Sequence, residues 1–441
     1  MKRLLSKLKR AFRPGKPRPL PPLAFQPTTD TSLSIAHEPS RLERLPPELR
    51  RMILSFMSLR DLSTMNLVCR TFYEQYKLDR TFLLRHCLEN TLENVTVDAC
   101  SAYWSGKLEL HCGISLEKTS GFFESYRNRL SASQQSLIFP EKLSERVLKD
   151  MIRFHYMVWN TAKLYATTTM ANLAVEINEP QSVSSSNTEE TRIVRALYRF
   201  QVCCNIFGKG YERWRASDFR SIESINISVM YFDLFEPWEV EEIACIHHFI
   251  TQQFNQIFDA ISWDVNEKNP KFANERPPTP PGAFHLEDEC TRQDLLEGVI
   301  SWGLEFLDIA LSIKNHDHLV TVMQDNITYV WGYFLGFFGP FSESAQDNLR
   351  DNHLTFRHEK QDRAEPLPFQ GDDASLPPYA WTVIWSGTYS NYYGYCIRSS
   401  FRDWGYIFWD KHRLAHPSLI EAFESQNSYY DPREEHWYHL F

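Results

Sequence analysis

Apolar residues recur every three or four positions along most of the chain, which is the spacing of one buried face of an α-helix. Three stripes of this kind lie in the middle of the sequence: Val147, Met151, Phe154, Val158 and Ala162; Ile193, Leu197, Phe200 and Cys204; Val240, Ile243, Ile250, Phe254 and Ile257. Segment 292–313 is apolar almost all round and predicts one continuous buried helix. The pattern therefore predicts a mainly α fold.

Polar residues predict where these helices begin and where the chain divides. Asn187 with Glu190 has the spacing of a helix N-cap, and Pro237 suits a first helical position. We expect a disordered tail at 1–40, because it is basic and then rich in proline, followed by a small helical module at 41–85. A larger helical body at 86–441 would follow, with long loops at 178–190, 264–291 and 360–378.

The module has more apolar residues than a single buried stripe requires. Pro46 and Pro47 favour a helix start, after which apolar residues recur at helical spacing. Ser58 with Asp61 predicts a capping box at the start of a second helix. The two stripes are Leu49, Met52, Ile53, Phe56 and Met57, then Leu62, Met65, Cys69, Phe72 and Tyr76. Neighbouring residues such as Leu54, Leu67 and Val68 point to other sides of these helices.

About forty residues rarely form a self-sufficient core, so a partner or the next domain is expected to cover this excess apolar surface. The string LPPELRRMILSFMSLRDLSTMNLVCRTF (45–72) resembles the F-box family, with its Leu-Pro start, Ile-Leu pair, Asp-Leu turn and Val-Cys-Arg ending. The resemblance implies a three-helix fold that binds a Skp-type adaptor and, through it, cullin and RING subunits. It implies these adaptor contacts or their supports: Leu45, Pro46, Leu49, Ile53, Leu54, Leu62, Leu67, Val68 and Cys69.

One departure from the family pattern is the aromatic pair Phe72 and Tyr73, where many members carry Trp shortly after the Arg. The body is similar to a set of uncharacterised filamentous-fungal F-box proteins. This similarity rests on ALYRFQVCCNIFG (196–208), LFEPWEVEEIACIHHFI (234–250) and RDWGYIFWDKHRL (402–414). It implies a helical body but supplies no target.

Net charge and cysteine content indicate which classes of partner and which cellular compartments to expect. The net charge is −9, yet residues 1–29 carry eight Lys or Arg and no acid, so the remainder is near −17. An acidic body does not favour nucleic acid as a partner. Nine scattered cysteines do not form a disulfide framework, which favours the cytoplasm, the nucleus or both. No apolar run reaches the ~18 residues of a membrane-spanning helix.

Candidate chemistry in the body is sparse. Cys203, Cys204, Cys245, His247 and His248 lack the spacing of paired metal ligands, so we predict a packed core there, with no metal and no cofactor. No catalytic motif is found, so no catalytic residue is assigned. An aromatic-rich stretch near the carboxyl end is either core or part of a target-binding face; its candidate target-binding residues are Trp385, Tyr389, Tyr392 and Tyr393.

The sequence thus predicts a substrate-receptor subunit of a Skp–cullin–F-box (SCF) ubiquitin ligase, which binds an adaptor through the module and an unknown protein target through the body. It would act by holding the target close to a charged conjugating enzyme, without catalytic residues of its own. Two alternatives remain open. One is a scaffold that binds the adaptor outside ubiquitin ligation, and the other is an enzyme with an unrecognised active site in the body.

Overall fold

The described part of the chain is helical, as predicted. The computed structural model describes residues 40–107, 116–131, 143–182, 184–208, 224–275, 284–327, 335, 339–353, 355–427 and 431–433. The predicted tail at 1–40 lies outside these residues except for its last position. Pairing of extended backbone within the described residues is limited to an isolated bridge between Pro366 and Thr388.

The helices of the first half form the module and the start of the body. They are α1 (Pro47–Ser55), α2 (Leu59–Val68), α3 (Arg70–Leu78), α4 (Arg80–Leu92), α5 (Thr96–Lys107), α6 (Leu116–Ser131), α7 (Glu145–Glu176) and α8 (Asn187–Cys203). A π-helical turn, Cys204–Gly208, continues α8. Helix α4 runs without interruption through the predicted boundary at residue 85, and that boundary stays a prediction.

The helices of the second half become shorter towards the carboxyl end. They are α9 (Ser224–Met230), α10 (Pro237–Val265), α11 (Glu289–Ile300), α12 (Leu304–Ser312), α13 (His316–Asn326), α14 (Glu343–Asn352), α15 (Phe356–Asp362), α16 (Tyr379–Ile384), α17 (Ser399–Asp403), α18 (Lys411–Leu414) and α19 (Pro417–Glu424). Single 3₁₀ turns lie at 93–95, 232–234, 270–273 and 394–396.

The chain divides into two compact units, residues 1–50 and 51–441. Within the described end of the first unit, Arg50 Nη1 donates a hydrogen bond to the Glu43 carbonyl at 2.9 Å. In the second unit, α8 and α10 pack against each other and against α5, α7, α11 and α17. Helices α8 and α10 are buried on nearly all sides, which explains why their apolar stripes are so dense.

Several predicted helix ends are shifted. The N-cap of α8 is Ser186, which forms a capping box with Glu189, one residue before the predicted Asn187 and Glu190 pair. The helix therefore begins inside the loop predicted at 178–190. Helix α10 begins at Pro237 as predicted, and it extends to Val265, just inside the loop predicted at 264–291.

The continuous helix predicted over 292–313 is wrong. Gly303 has a φ of +78°, and the chain turns there between α11 and α12. A Cβ at this position would lie 2.5 Å from the Gln201 side-chain oxygen. That oxygen accepts the Leu304 backbone N–H at 2.8 Å, so it replaces the missing helical partner at the start of α12. Apolar periodicity alone could not show this break.

Candidate functional site

Several large apolar side chains on or directly after the first three helices of the module are not covered by any part of the described chain. Phe56, Leu67, Val68 and Leu78 are 64 to 81% exposed. Met52 is half exposed. We call these five residues the apolar ridge. Large apolar groups rarely stay this open on a small module unless a partner covers them.

Other apolar residues of the module are buried. They are Leu54, Leu59, Leu62 and Phe72, and they belong to the main hydrophobic core. Ser58 is the N-cap of α2 as predicted, because its hydroxyl accepts the Asp61 backbone N–H at 3.1 Å. The Asp61 side chain accepts the Ser58 hydroxyl at 2.8 Å, so it does not complete the predicted capping box. Cys69 is extended and separates α2 from α3.

The nine residues predicted as adaptor contacts or supports fall into three groups. Exposed ones are Pro46, Leu49, Leu67 and Val68; half-buried ones are Leu45, Ile53 and Cys69; fully buried ones are Leu54 and Leu62. The buried pair pack in the core of this structure, and the exposed members of residues 51–78 are accessible. Contact of any of the nine with an adaptor stays a prediction.

Three residues of the apolar ridge were not predicted as contacts: Met52, Phe56 and Leu78. The pattern placed Met52 and Phe56 on the stripe expected to face inward. The buried side is set instead by the packing of α2 on both α3 and α4, and Leu54, Leu59 and Leu62 are buried in the resulting core. That packing direction is a tertiary property, which a stripe in the sequence does not specify.

Helix α4 fixes the corner between α1 and α2 through polar side chains. Cys87 Sγ donates to the Leu54 carbonyl at 3.1 Å. Asn90 Nδ2 donates to the carbonyls of Ser55 at 2.8 Å and Met57 at 3.2 Å. These carbonyls lie at and just after the end of α1, where the regular hydrogen bonds of the helix end. Burial raises the pKa of the Cys87 thiol to about 12, so it keeps its proton as a donor.

The start of α2 is held by the same helix. Thr91 Oγ1 accepts the Leu59 backbone N–H at 2.8 Å and donates to the Cys87 carbonyl at 2.6 Å. Helix α4 also packs on α7 of the body, where Arg80 and Glu145 form a half-exposed ion pair at 3.4 Å. The corner is therefore connected to the body through one continuous helix.

The core of the body contains a row of buried ion pairs. Arg199 lies 2.9 Å from Asp98 and 2.8 Å from Glu239. Arg195 lies 3.3 Å from Glu239 and 2.6 Å from Glu242. Burial opposes ionisation of Glu239, but the two guanidiniums outweigh it and lower its pKa to about 2. Each charge has an opposite partner, so the row joins α5, α8 and α10 as a structural element.

A second buried pair holds the carboxyl-terminal segment on α10. Arg402 Nε donates to Glu241 Oε1 at 2.8 Å, and the other Glu241 oxygen accepts the Gly394 backbone N–H at 2.6 Å. The arginine partners of Glu239, Glu241 and Glu242 are distant in sequence, so this pairing could not be predicted.

The four candidate target-binding residues, Trp385, Tyr389, Tyr392 and Tyr393, are all buried. The Tyr389 hydroxyl donates to Glu236 at 3.2 Å, and the Tyr392 hydroxyl donates to Asp347 at 3.0 Å. Target binding by these four residues stays a prediction. In this structure the four side chains lie in the packed core, which is the alternative that the sequence left open.

The cysteines and histidines considered from sequence do not converge on a common point. Cys203, Cys204 and Cys245 are buried, whereas His247 lies 3.3 Å from Glu297 and His248 lies 2.8 Å from Asp403.

Elsewhere in the described residues, ligand atoms of Glu189, Asp410 and His412 lie within 4.8 Å of one another. Arg413 donates to both oxygens of Glu189, at 2.7 and 3.1 Å. Arg192 lies 3.6 Å from Asp410. Two guanidiniums beside these acids compensate their charge, so the group is part of an ion-pair network.

The family comparison agrees with this geometry. Residues 42–80 match the family model described as F-box-like. The match covers the module, so the chain carries an F-box-like domain, and such a domain implies binding to a Skp-type adaptor of SCF complexes. No curated protein and no solved structure matches the chain. None of the helices in the described ranges combines the length and the apolar run needed to cross a bilayer.

Proposed function

We propose that this protein is a substrate-receptor subunit of an SCF ubiquitin ligase, with the apolar ridge as its contact to the Skp-type adaptor. The observation that carries the proposal is the exposure of Phe56, Leu67, Val68 and Leu78 on a domain whose other apolar residues, such as Leu54, Leu62 and Phe72, are already buried. An interface of standard size needs about 800 Å² from each partner. Exposed groups at the end of α1, the end of α2 and the end of α3 can contribute to such an area.

The mechanism would depend on orientation rather than on chemistry by this chain. A receptor raises the effective concentration of its target near the conjugating enzyme, and this effect is lost when the geometry is wrong. The hydrogen bonds from Cys87, Asn90 and Thr91 resist bending between α1, α2 and α4. Helix α4 packs on α7, so the module is joined stiffly to a body held together by buried ion pairs.

Affinity purification of the full chain, with and without proteasome inhibition, tests this proposal against its alternatives. A receptor brings down adaptor, cullin and RING subunits together, and its target accumulates when the proteasome is inhibited. Recovery of the adaptor without cullin would favour the scaffold function instead. Absence of the adaptor would contradict both.

A further inference from the structure

A small polar pocket lies in the body between α14, α15 and the chain near residue 391. Its volume is about 30 Å³, which is room for about two water molecules at ~10–15 Å³ each. Two arginines, Arg350 and Arg357, line it, together with the polar residues Ser228, Thr355 and Asn391. No residue of the apolar ridge lines the pocket, so ligand binding to the pocket can be tested separately from adaptor binding.

Arg350 is buried without a carboxylate partner in the described part of the chain. It is 3% exposed, and its Nη2 donates to the neutral Gln361 side chain at 2.9 Å. The guanidinium lies 3.7 Å from the centre of the Tyr392 ring. Burial lowers the pKa of Arg350, which indicates an incompletely compensated charge. The nearby Asp347 accepts the Tyr392 hydroxyl.

Arg357 is also incompletely paired. It is 8% exposed, its Nε is buried without a hydrogen-bond partner, and its Nη1 lies 3.2 Å from Asp233. The Asp233 side chain is more than a third exposed, so water weakens that ion pair. The pocket therefore holds two buried guanidiniums against one partly solvated carboxylate.

We propose that this pocket binds an oxyanion, a phosphate or carboxylate group carried by a ligand, between Arg350 and Arg357. Guanidiniums bind such groups through parallel N–H donors, and these charge-assisted bonds are roughly twice as strong as neutral ones. The hydroxyls of Ser228 and Thr355 and the Asn391 amide supply neutral polar groups beside the two charges. The pocket volume suits a compact charged group rather than a large ring.

Thermal unfolding of the full-length protein in inorganic phosphate or acetate, at ionic strength fixed with sodium chloride, tests the proposal. A ligand that binds only the folded state raises Tm in a saturable manner. We expect such a rise with phosphate, acetate or both, and the stronger response identifies the preferred group. Arg357→Gln should weaken binding at least about tenfold. Arg363→Gln, which changes an exposed arginine just after α15, should leave it unchanged.

Asn391→Asp provides a second variant that does not remove a buried charge. The new carboxylate would supply the missing anion from within the chain. It should therefore raise Tm in plain buffer and abolish the response to phosphate and acetate. The proposal is overturned if neither anion gives a saturable rise with the wild-type protein. It is equally overturned if Arg357→Gln binds like wild type, or if Asn391→Asp still responds like wild type.

Discussion

Asn90 offers a direct test of whether α4 sets the angle between α1 and α2. Its amide donates to the carbonyls of Ser55 and Met57 at 2.8 and 3.2 Å. A neutral hydrogen bond contributes about 0.5–1.5 kcal/mol. Both carbonyls are only partly buried, so water can replace some of the loss. We expect Asn90→Ala to cost about 1–2 kcal/mol at this corner.

The loss should be local. Cys87 would still hold the Leu54 carbonyl, and Thr91 would still hold the Leu59 N–H, so the module should stay folded. A cost of about 1–2 kcal/mol raises the population of the opened corner about 5- to 30-fold. Native-state hydrogen exchange reports such local opening. Amides of residues 51–68 should therefore exchange faster by this factor.

Asn352→Ala is the matched control. Asn352 also donates two hydrogen bonds, at 2.8 and 2.6 Å, but both go to exposed atoms of Asn348 in the same helix. Asn352→Ala should leave the amide exchange rates of residues 51–68 unchanged. The exchange rates of α10 amides should be the same as wild type in both variants. Unchanged exchange at 51–68 in Asn90→Ala, or an equal increase throughout the chain, would refute the role given to α4.

Three further predictions concern stability. Gly303→Ala should lower the free energy of unfolding by about 1–3 kcal/mol, because the new Cβ would clash with Gln201. The urea midpoint should fall, and an unchanged midpoint would contradict this. Glu239 has a lowered pKa, so its stabilisation is present above its ordinary value of 4.5 and lost as pH falls towards about 2. Glu239→Gln should therefore flatten the loss of stability over that range, by about 3 kcal/mol at most; parallel curves would argue against the pairing. Leu54→Ala should destabilise the module by about 2–5 kcal/mol, measured by limited proteolysis, since Leu54 is fully buried; resistance equal to wild type would contradict its core position.

The fold class could be predicted because helical periodicity is a local signal. The stripe of α10 is fully buried, and the stripe of α8 is buried and continues into the π-helical turn at Cys204. In α7, Met151, Val158 and Ala162 are buried, whereas Val147 and Phe154 are partly buried against the core. The break at Gly303 was missed because segment 292–313 is apolar on both sides of it. The Gln201 oxygen that caps α12 comes from a helix about a hundred residues earlier, and no local pattern records that contact.

The sequence predicted which residues form the module, but it did not predict which of their side chains are exposed. The match to residues 42–80 confirms the module, while contact and support residues could not be separated from sequence. Leu54 illustrates the difficulty, because its side chain is fully buried and any change there alters folding and binding together. Cys87, Asn90 and Thr91 lie outside the resembling string, so only their geometry reveals their contribution.

The central claim concerns the apolar ridge, and Val68 allows the cleanest measurement. Val68 is 66% exposed in the last turn of α2, and Val175 is 82% exposed in the last turn of α7. Both should accept Asp without loss of folding, because neither side chain belongs to the core. Only Val68→Asp should weaken adaptor binding, because the new charge would be buried against an apolar surface of the adaptor.

The measurement is the dissociation constant of purified adaptor for full-length wild type, Val68→Asp and Val175→Asp, with circular dichroism to confirm folding. We expect Val68→Asp to weaken binding by about 2 kcal/mol or more, which is at least about 30-fold. Val175→Asp should bind like wild type. Equal affinity of all three folded proteins would contradict adaptor docking through this ridge.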